Sequence, residues 1–235
     1  MIPIYTVCTG PNYFPHHANR FLRQLRDYVD LPLQLHCYTT YDRHDFDTSI
    51  EVIPIANDDG RRQWHKVDLF KIVPQNQVCF ISDLDWTFLN DVTDVFNQPV
   101  QHNEFIAPYR WWARNRGKGF NINGGLYKFI GGQYTFIPDV FHTNPRYWMQ
   151  RYIIDLEVAN PPINGEQNFV DEILQKHNVT ISYFNPEYTI ARCPINTEHA
   201  VEFNMLYEST YGKEWCWMGG EFHSDVRMVH TILDS

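Results

Sequence analysis

Basic residues are scarce in this chain, 19 Lys and Arg against 28 Asp and Glu in 235 residues, and the formal net charge is -9. Binding along a nucleic-acid backbone takes clustered Lys and Arg, so a nucleic-acid partner is not expected. The one basic cluster, Arg110 to Lys118, is sized for a small anion or a mobile loop. Long apolar runs are missing as well. None approaches the roughly 20 residues that span a bilayer, and the N-terminus lacks a charged region followed by a long apolar one. A soluble, cytoplasmic protein is the expectation. Cysteine is sparse and unpatterned: Cys8, Cys37, Cys79, Cys193 and Cys216 are odd in number, widely spaced and form no C-x-x-C pair. That spacing points to buried thiols in a reducing compartment. Internal repeats and low-complexity linkers are absent too, which favours one domain over 1–235.

Aromatic residues are abundant, with 7 Trp, 14 Tyr and 16 Phe. Most must fill a core, but those in polar surroundings, such as YRWWARNRG and YGKEWCWMGG, are suited to stacking on sugar rings or bases. The stretch that organises the chain is Gln77 to Asp91, QVCFISDLDWTFLND. Val78, Phe80 and Ile81 read as a short buried strand that ends in Ser82-Asp83-Leu84-Asp85. Side chains alternate along an extended chain, so Asp83 and Asp85 share a side and Leu84 turns to the core. Ligands bind at the carboxyl edge of open α/β sheets, and two carboxylates there repel unless a cation joins them. A divalent metal holding phosphate oxygens answers that requirement. The same spacing recurs at Asp45-Phe46-Asp47, but there the surroundings are polar and no strand leads in, so a solvated turn is expected.

In chain order, strands are predicted at Ile2 to Thr9, Leu33 to Thr39 and Ile50 to Ile55, with a helix over His16 to Tyr28 between the first two. A helix over Arg61 to Val73 feeds the central strand. Asn90 or Asp91 caps a short helix ending near Phe96, and Phe105 to Pro108 is a short strand. Trp111 to Gly119 is a polar, glycine-bearing loop of the kind that forms lids. Phe120 to Phe129 reads as a strand interrupted by Asn123-Gly124-Gly125, where paired glycines admit the close approach of a backbone or ligand. Helices follow over Thr143 to Leu156 and Phe169 to His177. Val179 to Phe184 and Val226 to Thr231 are late strands, the last placing His230 near its end.

Taken in order, these pieces resemble the GT-A glycosyltransferases, in particular the glycogenin-like and bacterial lipopolysaccharide galactosyltransferase group. The motifs that carry the resemblance are Lys66-Val67-Asp68-Leu69-Phe70, Asp83-Leu84-Asp85, Asn121 to Leu126, Glu166-Gln167 and Val229-His230. The resemblance implies a single α/β domain with a Rossmann-like, mixed but mostly parallel sheet flanked by helices, 1–100 forming a nucleotide-binding half and 101–235 a half for donor sugar and acceptor. It implies a metal-dependent transfer from a nucleoside-diphosphate sugar, a UDP-sugar foremost, to a carbohydrate or other hydroxyl acceptor. Asp83, Asp85 and His230 would then ligate Mn2+ or Mg2+, and Thr6, Val7, Cys8 and Thr9 would lie under the base and ribose. Lys66 would pair with a phosphate or with Asp83, and Ser82, Leu84, Asn123, Gly124 and Gly125 would complete the donor site. Glu166 or Gln167 would stand beside the anomeric carbon: Glu166 suits the base of an inverting enzyme, Gln167 a retaining one. Trp86, where the group often has a small residue, is expected to narrow the site, and the Gly-x-x-Lys-Pro-Trp run that follows the late His in the group is absent here.

Two other readings fit parts of the chain. DLDWTFLND is similar to the first motif of the haloacid-dehalogenase phosphatases, with Asp83 as nucleophile, Asp85 as acid/base and Mg2+ as cofactor. A GT-A-like fold that binds carbohydrate without turnover is the other.

Overall fold

The computed structural model describes residues 1–111, 119–161, 164–188, 190–192, 201, 205, 208–212, 217–218, 221–222 and 226–230. The predicted lid at Trp111 to Gly119 and the pair Gly219-Gly220 fall largely or wholly outside them, as do Cys193 and Cys216.

Seven strands make the main sheet. They are β1 (Ile2–Cys8), β2 (Leu33–Thr39), β3 (Glu51–Pro54), β4 (Val78–Ser82), β6 (Glu104–Ala107), β7 (Leu126–Ile130) and β8 (Thr180–Tyr183), with β5 (Trp86–Phe88) lying outside it. Their order across the sheet is β3-β2-β1-β4-β7-β6-β8. All run the same way except β7, which pairs antiparallel with both β4 and β6. The expected mixed, mostly parallel sheet is therefore present. A smaller sheet joins β5 and β9 (Ile190–Arg192) to β12 (Met228–His230), with a separate ribbon of β10 (Trp217–Met218) and β11 (Glu221–Phe222).

Alternation along the strands divides the core into two faces. Tyr5, Val7, Cys79, Ile81, Tyr127 and Phe129 join one buried cluster. Ile4, Cys8, Phe80 and Leu126 join the other. The second face is covered by α1 (Pro15–Tyr28), through Ala18, Phe21, Leu22 and Leu25, and by α3 (Thr93–Asn97), through Val95 and Phe96. The first is covered by a 3-10 helix over Arg62–Asp68, α2 (Leu69–Ile72), α4 (Phe136–Thr143) and α6 (Glu166–Lys176). Cys8, Cys37 and Cys79 are buried free thiols, as expected.

Several local expectations need correction. The helix predicted over Arg61 to Val73 is mostly 3-10, becoming α-helical only at Leu69. The helix predicted over Thr143 to Leu156 is α5 (Pro145–Gln150) followed by a π turn over Arg151–Asp155, and α4 before it was not foreseen. The interrupted strand at Phe120 to Phe129 becomes regular only at Leu126, preceded by an isolated bridge between Tyr109 and Ile122. Asp45-Phe46-Asp47 is a turn, as expected, with Asp47 accepting hydrogen bonds from the Ser49 backbone and hydroxyl. Asp91 accepts from the Thr93 N–H at the start of α3.

Candidate active site

The central strand delivers its two carboxylates as the alternation requires. β4 ends at Ser82, Leu84 is buried in the core, and Asp83 and Asp85 emerge at the carboxyl edge. The chain then enters β5, which β12 pairs antiparallel, His230 lying opposite Trp86. That pairing brings the imidazole back to the carboxylates across 145 residues: His230 Nε2 is 2.9 Å from Asp85 Oδ1 and 3.6 Å from Asp83 Oδ2. Burial alone would lower the His230 pKa, but the Asp85 and Asp83 carboxylates overcome it and raise it to about 9.

Trp86 does not narrow the opening. Its indole is fully buried, donates Nε1–H to Gly125 O at 2.6 Å and packs 4.7 Å from the His230 ring. It is a wall that fixes His230 from behind. Gly125 is confined between them: a Cβ there would stand 2.8 Å from both Asn123 Oδ1 and Trp86 Cζ2 and 3.1 Å from His230 Nε2. The paired glycines thus admit side chains and a neighbouring strand. Gly125 O also accepts the Asp83 N–H at 2.8 Å, so the glycine segment sets the register of the aspartates.

Lys66 approaches from the opposite side. It is 3 % exposed, its ammonium contacts Asp83 Oδ1, donates to Gly124 O at 2.9 Å and lies 3.4 Å from Glu166 Oε2. Burial pulls its pKa down, and the two carboxylates reverse this and hold it well above the ordinary lysine value. Asp83 experiences the mirror image: burial raises it, while Lys66 and His230 bring it below the usual carboxylate range. Glu166 is 4 % exposed and accepts from the Tyr127 hydroxyl at 3.3 Å. There burial dominates over Lys66, and its pKa is raised to about 7. Gln167, the next residue on the first turn of α6, accepts the Gly124 N–H at 2.8 Å through Oε1, with Asn123 Nδ2 at 3.5 Å. Asn123 Oδ1 accepts the Gly125 N–H at 3.0 Å.

Lys66, Asp83, Asp85, Asn123, Gly124, Gly125, Glu166, Gln167 and His230 therefore converge, as the sequence suggests. Thr6, Val7, Cys8 and Thr9 do not join them through their side chains. Their side chains are buried in or beside the core, so whatever they offer at the edge comes through the backbone. Two neighbours were missed. Tyr13 hydrogen-bonds Asp85 through its hydroxyl, and burial together with the Asp85 and Asp83 charges holds that phenol well above its ordinary pKa. Arg20 donates to Leu84 O at 3.0 Å, adding a cation near the pair. The only hint of Tyr13 in the sequence was its place just past the turn that ends β1.

Asp83, Asp85 and His230 each offer an atom within 4.8 Å of the others. Two hard carboxylates and one imidazole fit a divalent cation such as Mn2+ or Mg2+. Asp58, Asp59 and His65 form a second such group among the described residues, but Arg61 already pairs with Asp59 at 2.7 Å. No helix of the described residues is long and apolar enough to cross a membrane.

No protein-family model matches the chain, and no curated protein matches it significantly in sequence. Solved structures do match in fold. The galactosyltransferase LgtC, in complex with donor and acceptor sugar analogs, aligns over 98% of this chain and 87% of its own, at TM-score 0.60 and 10% identity. The glycosyltransferase GlyE from Streptococcus pneumoniae aligns at TM-score 0.59 and 11% identity, over 98% of this chain, which spans 55% of the length of that one. The chain has the GT-A fold of these glycosyltransferases.

Proposed function

We propose that this protein is a metal-dependent glycosyltransferase that moves a sugar from a nucleoside-diphosphate sugar, a UDP-sugar being the expected donor, to a hydroxyl acceptor. The observation that carries the reading is the convergence of Asp83, Asp85 and His230 at the carboxyl end of β4, in a fold shared with a galactosyltransferase. The nucleotide would lie toward β1, in the half formed by 1–100, and the sugar toward β7 and β6, in the half formed by 101–235.

Asp83, Asp85 and His230 would hold Mn2+ or Mg2+, whose charge beside the diphosphate serves as a Lewis acid as the nucleotide leaves. The chain's own groups prepare that place. Lys66 keeps a fixed positive charge at Asp83, so that carboxylate stays ionised although it is largely shielded from water. Tyr13 and His230 orient Asp85. The Asn123-Gly124-Gly125 backbone, clamped by Gln167 on one side and Trp86 on the other, gives the donor sugar a rigid floor. Glu166 is enclosed by Lys66 and Tyr127, behind Gly124, which suits it to charge balance and leaves Gln167 as the residue at the sugar.

The phosphatase reading gains nothing from this geometry, because both oxygens of Asp83 face cations, Lys66 on one side and His230 on the other. Asp85→Asn tests the proposal. The parent should show a thermal shift with one nucleoside diphosphate that requires Mn2+, and the variant should lose both this shift and transfer while keeping its fold. An undiminished Mn2+-dependent shift in the variant would remove Asp85 from the site.

A further inference from the structure

The sheet edge continues past the metal-ligand group on the side away from β1. From β4 it passes to the Asn123-Gly124-Gly125 segment, then to the extension of β6 and then to the end of β8. Asn123 donates its N–H to Pro108 O at 2.9 Å, and Tyr109 bridges Ile122, so Tyr109 stands beside the glycine segment. At a strand spacing of about 4.8 Å, the β6 end is about 10 Å from the end of β4. Tyr183, the last residue of β8, is 37% exposed, and its ring lies 4.8 Å from that of Tyr109. Tyr211 meets Tyr109 edge-on with centroids 6.4 Å apart. Burial first, then the charge of Asp171 and the neighbouring Tyr109, raises the Tyr183 phenol, and Asp171 itself accepts the Asn121 and Ile122 N–H groups.

From this placement we infer that Tyr109, Tyr183 and Tyr211 form a stacking platform for the acceptor and that the acceptor is a carbohydrate. This rests on the transferase reading above. With the nucleotide toward β1 and the aspartates at β4, an acceptor hydroxyl has to reach the donor sugar from the β6 and β8 side. What it meets there is a set of tyrosine rings. A pyranose ring presents a face of C–H groups edged by hydroxyls, and tyrosine presents an apolar face with a hydroxyl at its rim. A polyanionic acceptor is disfavoured by the net charge of -9.

The test is saturation-transfer NMR on the full chain with methyl pyranosides of gluco, galacto, manno and N-acetylglucosamine configuration, with Mn2+ and a nucleoside diphosphate present. Tyr183→Ala and Tyr183→Phe are compared with the parent. At least one pyranoside should bind the parent and Tyr183→Phe within about twofold of each other and bind Tyr183→Ala at least tenfold more weakly. The Mn2+-dependent nucleotide thermal shift should be the same in all three. Binding that survives Tyr183→Ala overturns the platform. Absence of pyranoside binding in a protein that shows the nucleotide shift overturns the carbohydrate acceptor and leaves the transferase reading standing. Absence of the nucleotide shift itself, together with pyranoside binding that depends on the Tyr183 ring, keeps the platform and overturns the transferase reading.

Discussion

Replacing Lys66 by Met tests whether the site is built on charge balance. The side chains are close in length, so the change removes the ammonium and little volume. In the parent, Lys66 contacts Asp83, donates to Gly124 O and lies 3.4 Å from Glu166, all within a buried pocket. Among the described residues its loss leaves the Asp83 carboxylate facing His230 and the Glu166 carboxylate facing the Tyr127 hydroxyl. Removing one partner of a buried pair costs about 3–5 kcal/mol, because the surviving charge is left uncompensated. In a domain of this size each kcal/mol moves Tm by roughly 2–4 °C, so a fall of about 6–20 °C is expected.

The pH dependence makes the test sharper. Asp83 is depressed in the folded parent, so its contribution is present above the unfolded carboxylate value, about 3.9, and is lost as pH falls through the folded value. Lys66 is raised, so its contribution persists up to the unfolded lysine value, about 10.4, and is lost above it. The gap between parent and Lys66→Met should therefore be widest between about pH 8 and 10, narrow as Glu166 takes up its proton around pH 7, and narrow again below about pH 4 as Asp83 does. Urea unfolding followed by Trp fluorescence measures it. Added Mn2+ should restore more stability to the variant than it adds to the parent, since the ion supplies the missing charge at Asp83. A gap under about 1 kcal/mol at pH 7, well below the range for a broken buried pair, would refute the reasoning.

Other outcomes follow from the same geometry. Gly125→Ala would force its Cβ to within 2.8 Å of Asn123 and Trp86, so calorimetric titration should show weakened Mn2+ and nucleotide binding. His230, held at about 9 in the ion-free site, must release a proton to bind a metal at neutral pH. Apparent Mn2+ affinity should then rise roughly tenfold per pH unit between pH 6 and 8, and His230→Gln should flatten that slope. Glu166→Gln should retain transfer within about tenfold, whereas Gln167→Ala should lose more, as a group acting at the sugar rather than behind it; a reversed order in steady-state rates would exchange their roles.

The frame of the fold is legible in the sequence because strands and amphipathic helices carry their own periodicity. β4 is marked by its apolar run, α1 by Phe21, Leu22 and Leu25, and both recur where the pattern placed them. What is not legible depends on distant pairing. Trp86-Thr87-Phe88 alternates like a strand, yet it becomes one only through residues 228–230, which close β5 into a second sheet. Lys66 looks like a wet-face cation between Val67 and Trp64. Its burial is decided by Asp83 and Glu166, which approach from other elements.

Two Asp-x-Asp motifs in one chain show how much of the site is context rather than pattern. At Asp45-Phe46-Asp47 the phenylalanine also turns inward, and Asp47 is satisfied locally by Ser49 two residues on, with Arg26 at 3.8 Å on the surface. Nothing there demands a further cation. At Asp83-Leu84-Asp85 the strand holds both carboxylates at a partly closed edge, and their partners Lys66, His230 and Tyr13 come from three separate parts of the chain. Bringing those partners together requires the main sheet, the small sheet and the loop after β1 all to be formed. An arrangement assembled from so many elements around one charge pair fits a binding site better than a turn, and it is the assembly, more than the motif, that separates the two.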